Sequence, residues 1–218
     1  MPRVDLLRAL PQTKRNIQKR AEAKDPAVIA VAKQYGEMYW DGPREYGYGG
    51  YRDDGRWHSV ARDIIAHYHL RPGMRVLDVG CGKGFLVKAL LQECPGLEAF
   101  GLDISLYAVM RCSPEAVGRI HLGSADSLPF PDGSFDCVLS LNTIHNFPRA
   151  GAIIAMREIQ RLSGGRAFVQ VDSYLTTEQK EIFESWVLTA EFHDYPDGWL
   201  KFFAEAGYTG DYDWTIIE

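Results

Sequence analysis

The sequence predicts an α/β protein, a mostly parallel sheet with helices on both faces, and three observations carry that prediction. The apolar run Val76–Val79, broken only by Asp78, stops at Gly80, Gly82 and Gly84 and passes into a helical pattern, as the first strand of a strand–turn–helix unit does. Glu98–Leu102 and Phe135–Leu141 read as further buried strands. Helical stretches separate successive strands, so the strands can share one direction while the helices cross over either face.

In chain order, residues 1–24 hold seven Lys/Arg against two Asp/Glu. They suit a helix, an arm on a partner subunit, or a frayed end. Asp25-Pro26 is an N-cap followed by proline at the first helical position, and predicts a helix to about Tyr39. Between Tyr39 and Trp57, glycine, aromatic and charged residues follow one another with neither helical nor strand period, which predicts a loop. Its six aromatics argue against disorder, and a loop of this length in a compact domain reads as a lid over a ligand; the alternative is that Tyr39, Trp40 and Trp57 simply pack it onto the body.

His58–Leu70 is an amphipathic helix with Val60, Ile64, Ile65 and Tyr68 inward, and His67 and His69 are expected at surface or capping positions rather than on a metal. The glycine loop opens a helix that Cys94-Pro-Gly ends. Then follow the strand Glu98–Leu102, the helix Leu106–Cys112 capped by Ser105, a short strand Arg119–Leu122, the strand Phe135–Leu141, the helix Arg149–Leu162 and the strand Arg166–Val171. Thr176–Trp186 and Pro196–Ala206 read as helices, Tyr208–Ile217 as a last strand, and Val187–Phe192 as a candidate extra extended piece. The division this suggests is a helical segment with a lid over residues 1–57, and a core with substrate-facing C-terminal elements over residues 58–218.

The chemistry is concentrated at three places. Asp78 precedes glycines spaced G-x-G-x-G; a carboxylate there repels a pyrophosphate and attracts a cation, unlike the G-x-G-x-x-G of dinucleotide sites. Nineteen residues beyond Gly84, Asp103 ends the second strand, where an acid accepts ribose hydroxyls. Ala125-Asp126, ahead of Leu128-Pro-Phe-Pro-Asp-Gly-Ser-Phe-Asp136, can bond an adenine edge.

With these blocks, residues 60–171 closely resemble the class I S-adenosylmethionine-dependent methyltransferases, in particular the small-molecule, ubiquinone/menaquinone-methyltransferase-like branch. The resemblance implies a Rossmann-like sheet of seven strands ending in an antiparallel pair, order 3-2-1-4-5-7-6, or of six strands with a partner over the edge. It implies S-adenosylmethionine as cofactor and S-adenosylhomocysteine as product. Gly80, Cys81 and Gly82 would line the methionine portion, Asp78 its ammonium side, Asp103 the ribose, Ile104 the adenine face, and Ala125 and Asp126 the adenine edge.

Methyl transfer from a sulfonium is an in-line displacement, so the protein must align the partners, exclude water and, for some acceptors, remove a proton. Asn142, His145 and Asn146 follow the fourth strand, at the end that faces the ligand crevice; Asn142 can touch the methyl donor as well as the acceptor. His145 is a candidate base, or equally a packing residue that covers the donor. Acceptor contacts are expected from Trp40, Tyr46, Tyr48, Tyr51, His145, Asp172 and Tyr174. Tyr, Trp and the acid-rich tail (Glu191, Asp194, Asp197, Asp211, Asp213) favour a nitrogen or oxygen of an amine, amino acid or imidazole-like metabolite, with no metal.

Composition limits the remaining classes. The net charge is −5, and beyond residue 24 there are 17 Lys/Arg against 27 Asp/Glu, which argues against nucleic acid. Cys81, Cys94, Cys112 and Cys137 form no C-x-x-C pair, no stretch approaches a membrane span, and no secretory h-region opens the chain, so a cytoplasmic monomer or homodimer is expected. Two rivals stand beside the enzyme: an S-adenosylmethionine-binding scaffold subunit without catalysis, and a Rossmann oxidoreductase. The second lacks its motif, and none of the eleven tyrosines has a lysine four residues later.

Overall fold

The structure is a computed structural model that describes residues 1–11 and 17–216. Its elements are α1 (Ile17–Ala23), α2 (Pro26–Ala32), α3 (Glu37–Trp40), α4 (Trp57–Tyr68), β1 (Arg75–Val79), α5 (Phe85–Glu93), β2 (Glu98–Asp103), α6 (Leu106–Met110), β3 (Ile120–Leu122), β4 (Cys137–Leu141), α7 (Arg149–Ser163), β5 (Ala167–Ser173), α8 (Thr177–Trp186), α9 (Pro196–Ala206) and β6 (Asp211–Ile216). The sheet runs β3-β2-β1-β4-β5-β6 and every neighbouring pair is parallel.

Alternate residues of the central strands face opposite layers, as the two-residue period of a strand requires. Leu77, Val79, Val138, Val169 and Val171 pack with α7 and α9, through Met156, Ile159, Trp199, Phe202 and Phe203. Val76, Cys137, Leu139 and Phe168 pack on the other side with α4 and α5, through Val60, Ile64, Leu86, Val87 and Leu90. The strands are therefore apolar on both faces, which is why they read in the sequence as continuous runs. The chain reverses its strand order between β1 and β4, and a sheet of this kind opens its ligand crevice at that point.

Two expectations are corrected, and the choice between seven strands and six is decided. The helix from Asp25 stops at Ala32: Tyr35 is left-handed at φ 49°, and α3 restarts after Gly36. Its start is as expected, since the Asp25 carboxylate accepts the Val28 N–H at 2.8 Å. Of the two sheets expected, the six-stranded one is found: among the described residues there are six strands and no antiparallel pair. Two helices separate β5 from β6, enough to return the chain to the starting end of the sheet and pair β6 parallel to β5. Residues 187–192 are not a strand. The expected last strand reached Ile217, which lies outside the described residues.

The edge of β6 is covered from within the chain. The Val4 N–H donates to the Tyr212 carbonyl at 2.9 Å, the Tyr212 N–H donates to the Pro2 carbonyl at 3.2 Å, and Arg3 pairs with Asp213 at 2.7 Å. Leu6 then enters the layer between α4 and α5 and is 4% exposed. The basic N-terminus is thus in part a strap on the chain's own sheet edge. His67 is a surface residue paired with Asp211, and His69 caps α4 in the left-handed conformation.

Candidate active site

The glycine loop after β1 is held to the end of β2 by hydrogen bonds. Gly80 and Cys81 donate their N–H groups to the Leu102 carbonyl, at 2.7 and 3.2 Å. The Gly82 N–H donates to Asp103 Oδ2 at 2.7 Å, and Ser105 N–H donates to Asp103 Oδ1 at 2.8 Å. Gly80 (φ 81°) and Gly82 (φ 55°) take left-handed conformations, and a Cβ on Gly80 would fall 1.9 Å from Thr143 Oγ1. Only glycine allows the β4 loop to approach so closely.

Two acids are buried at neighbouring strand ends. Asp103 is 6% exposed, and burial raises its pKa against the lowering effect of its two N–H donors. Asp78 is 4% exposed, and burial, reinforced by the charge of Asp103, pushes its pKa up to about 7. Asp78 lines the cavity and, among the described residues, pairs with no cation, so a cationic ligand group would relieve the cost of ionising it.

Two cavities lie side by side at this end of the sheet. The larger, about 480 Å³, takes in Asp78, Gly80, Cys81, Gly82, Asn142, His145, Asn146 and Asp172. The smaller, about 280 Å³, takes in Leu102, Asp103, Ile104, Gly123 and Ala125. Tyr39, Trp40, Tyr48, Gly80, Asn142 and Asn146 line both, so the two form one cleft divided by aromatic rings. Trp40 and Tyr48 stack with centroids 5.2 Å apart, and the Trp40 Nε1–H donates to Ser105 Oγ at 2.9 Å.

A family profile described as a methyltransferase domain matches residues 77–169, which span β1 to β5 and so contain the glycine loop, both acids and the β4 loop. That match, over less than half of the chain, supports a class I S-adenosylmethionine-dependent methyltransferase. The chain is 35% identical over 125 residues to a demethylmenaquinone methyltransferase of Symbiobacterium thermophilum, covering 51% of this chain and 48% of the relative. It is 31% identical over 163 residues to a 2-methyl-6-phytyl-1,4-hydroquinone methyltransferase of Synechocystis, covering 66% and 51%. The chain thus spans about half the length of these curated relatives. Its fold is similar to that of a putative methyltransferase solved in complex with the Trm112 activator of Haloferax volcanii, with TM-score 0.55 and 24% identity over 69% of this chain and 67% of that one.

The methyl donor of this family is S-adenosylmethionine, and the cleft suits it: a cation-seeking acid under the glycine loop, a buried acid at the end of β2, and apolar Ile104 and Ala125 beyond. Ile104 is 57% exposed although apolar, as a face awaiting a ring would be. Of the other expected residues, Trp40, Tyr48, Tyr51, His145 and Asp172 do line the cleft. Three do not. Asp126 is half-buried beside Ala125 and outside the lining. Tyr46 packs against α2 with Val28, Ala32 and Leu188. Tyr174 is buried with Phe183 and Trp186, its hydroxyl 3.1 Å from His193 Nδ1, because the chain turns away from the cleft after Asp172.

The tail acids are also elsewhere: Glu191 pairs with Lys33, Asp211 with His67 and Asp213 with Arg3, and Asp194 accepts the Tyr195 N–H. Among the described residues, no group of three or more His, Cys, Asp or Glu side chains is placed to hold a metal ion, and no helix is long and apolar enough to cross a membrane.

Sequence reasoning missed two features. Lys83, inside the glycine motif, donates to both Asp41 oxygens at 2.6 and 2.7 Å and to the Tyr51 carbonyl at 3.0 Å, so the loop itself fastens the aromatic segment down. It also missed Arg20, Arg44, Arg52 and Arg56 on the larger cavity. The signal for three of them was present: arginines interleaved with the glycines and tyrosines of residues 44–56.

Because folding raises the Asp78 pKa, the folded protein holds a proton there that the unfolded chain has released. Stability without ligand is therefore lost as pH rises from the ordinary carboxylate range towards about 7, and stays low above it. Asp78→Asn is expected to raise stability at pH 8 by about 1–3 kcal/mol and to change it little at pH 4. Thermal unfolding of both proteins at the two pH values checks this; equal midpoint differences at both would contradict it.

Proposed function

We propose that this protein transfers a methyl group from S-adenosylmethionine to a nitrogen or oxygen of a small polar metabolite. The observation that carries the reading is the pairing of Asp78 and Asp103 around the glycine loop at the strand-order reversal, within a chain that matches this family's profile. Asp78 would meet the donor's ammonium, Asp103 its ribose, Ile104 and Ala125 its adenine. Asn142 and Asn146 line both cavities and would sit beside the transferred group; the Asn146 amide donates to the Asn142 carbonyl at 3.1 Å, and its Oδ1 is buried without a hydrogen-bond partner among the described residues. When bound, the donor supplies a methyl already activated by positive sulfur, which leaves the chain's residues to align, desolvate and accept a proton.

Calorimetry with S-adenosylhomocysteine tests the reading. Tight binding is expected, weakened by about 2–3 kcal/mol in Asp103→Ala if two hydroxyl bonds to a buried carboxylate are lost. NAD binding with no response to the adenosyl ligand would instead favour an oxidoreductase.

His145 is better read as a positioning residue than as the base. Its Nδ1 accepts the Asp172 N–H at 3.3 Å, so the neutral ring carries its proton on Nε2, which lies 3.9 Å from Asp172 Oδ2. Burial lowers its pKa, the nearby Asp172 charge acting against this, and the neutral form prevails. With one nitrogen accepting and the other protonated, neither is available to take a proton. His145→Asn is expected to cost less than about tenfold in kcat and to leave the pH profile unchanged, whereas loss of a general base costs about a hundredfold or more. Single-turnover rates across pH 6–9 distinguish the two.

Residues 39–57 we read as a lid, with residues 1–57 as the helical segment that carries it and 58–218 as the catalytic core. Trp40 lies against Gly82, where a Cβ would meet its ring at 2.8 Å, so the segment rests on the donor loop, latched by Lys83 and Asp41. Limited proteolysis is expected to cut this segment more slowly with S-adenosylhomocysteine present, and faster in Asp41→Asn. Cleavage indifferent to both changes would mark a permanently packed segment.

A further inference from the structure

Resting on that reading of the cleft, we propose that Asp172 holds the methyl acceptor, and that the acceptor is an amine, methylated on the nitrogen that this carboxylate receives. Asp172 is 8% exposed and lines the larger cavity. Among the described residues its carboxylate accepts no hydrogen bond, and His145 Nε2, at 3.9 Å from Oδ2, stands beyond hydrogen-bond reach. A carboxylate buried to this degree without a partner is costly unless a ligand brings a cation or hydrogen-bond donors to it.

The sheet sets this acid across the cleft from Asp78. Residues in register on parallel strands point to one face, so Asp78, Leu139 and Phe168 share a face, and Asp172, four residues beyond Phe168, shares it too. Asp78 and Asp172 thus flank β4, with Asp172 further out towards the carboxyl end. Between them comes the β4 loop, whose Asn142 and Asn146 line both cavities. The backbone of Asp172 is fixed on both sides: its N–H donates to His145 Nδ1 at 3.3 Å, and its carbonyl accepts the Trp199 Nε1–H at 3.1 Å. A carboxylate on so firmly held a strand end presents its oxygens at a defined place. With Asp78 assigned to the donor's ammonium, Asp172 is left for the acceptor.

An amine meets what this position lacks, because its ammonium form brings both a charge and N–H donors. Trp40, Tyr48, Tyr51 and Trp57 line the same cavity, and aromatic faces attract a cation. The arginines of the lining all come from residues 20–56, and among the described residues none pairs with Asp172. Before its nitrogen can attack, the ammonium must lose one proton. His145 cannot take it, with one ring nitrogen accepting and the other protonated; the Asp172 carboxylate can, and passes it to water. The freed lone pair forms the nitrogen–carbon bond as the carbon–sulfur bond breaks, its electron pair staying on sulfur. The product leaves as a methylated ammonium.

The experiment is calorimetric titration of the full chain. S-adenosylhomocysteine is titrated first, with no acceptor probe; if it fails to bind, the methyltransferase reading falls and the proposal with it. With that ligand saturating, tyramine and histamine are compared with the neutral analogues in which a hydroxyl replaces the amino group. At least one amine is expected to bind roughly tenfold or more tightly than its alcohol. Asp172→Asn, which keeps the shape of the side chain and both backbone hydrogen bonds, is expected to abolish that preference while the affinities for the alcohol and for S-adenosylhomocysteine stay the same. Alcohols bound as tightly as the amines, or failure of both amines to bind, would overturn the proposal from the wild-type protein alone. So would a preference for the amine that survives in Asp172→Asn, or an equal loss of amine and alcohol, the mark of an acid that only supports the structure. A parallel loss of S-adenosylhomocysteine affinity would overturn it too, because Asp172 would then serve the donor.

Discussion

Burying two carboxylates at the ends of adjacent strands is expensive, and the architecture of the cleft follows from how that cost is met. Asp103 is compensated by the N–H groups of Gly82 and Ser105, one from the glycine loop and one from the cap of α6. That pair of bonds ties the β1–α5 turn to the β2–α6 turn and sets the width of the crevice between them. Asp78 receives no such compensation from the described residues. A group held ready in this way contributes to binding at the expense of stability in the empty state, a division common to ligand sites.

The same loop organises the aromatic segment. A lysine among the glycines, 7% exposed, reaches up to Asp41 and Tyr51, and Tyr51 in turn lies over Phe85 at the start of α5, 4.9 Å between centroids. The segment from Tyr39 to Trp57 is therefore neither a free loop nor a regular element. It folds back on α3, with the Tyr48 N–H on the Tyr39 carbonyl and the Tyr51 N–H on the Trp40 carbonyl, and its rings pack against one another. Few of its groups enter the two main core layers.

Much of this was legible in the sequence. The strands β1, β2 and β4 were visible because a parallel strand covered on both faces must be apolar throughout, and the caps Asp25 and Ser105 because an N-cap needs a short oxygen-bearing side chain. The glycine-loop side of the cleft was legible for a related reason: Gly80, Gly82, Asp78 and Asp103 are set by backbone conformation and strand ends, which are local properties with fixed spacing. The break in the helix at Tyr35–Gly36 was not, since the N-cap at Asp25 announces a helix and the residues that follow are compatible with its continuing.

What the sequence by itself determined, then, is the alternation of strands and helices, the crevice end of the sheet, and the chemistry of the loop that opens it. Only the tertiary structure decided the rest. The pairing of β6 parallel to β5 depends on where two helices land. The strap of residues 2–4 on the β6 edge depends on segments more than two hundred residues apart in sequence. The removal of Tyr46 and Tyr174 from the cleft, and the arrival there of Arg20 and Arg44, depend on which way surface segments turn. Residue type says that a tyrosine or an arginine can bind a ligand, but its neighbours in space, contributed by distant parts of the chain, decide whether it packs, pairs or faces the cavity.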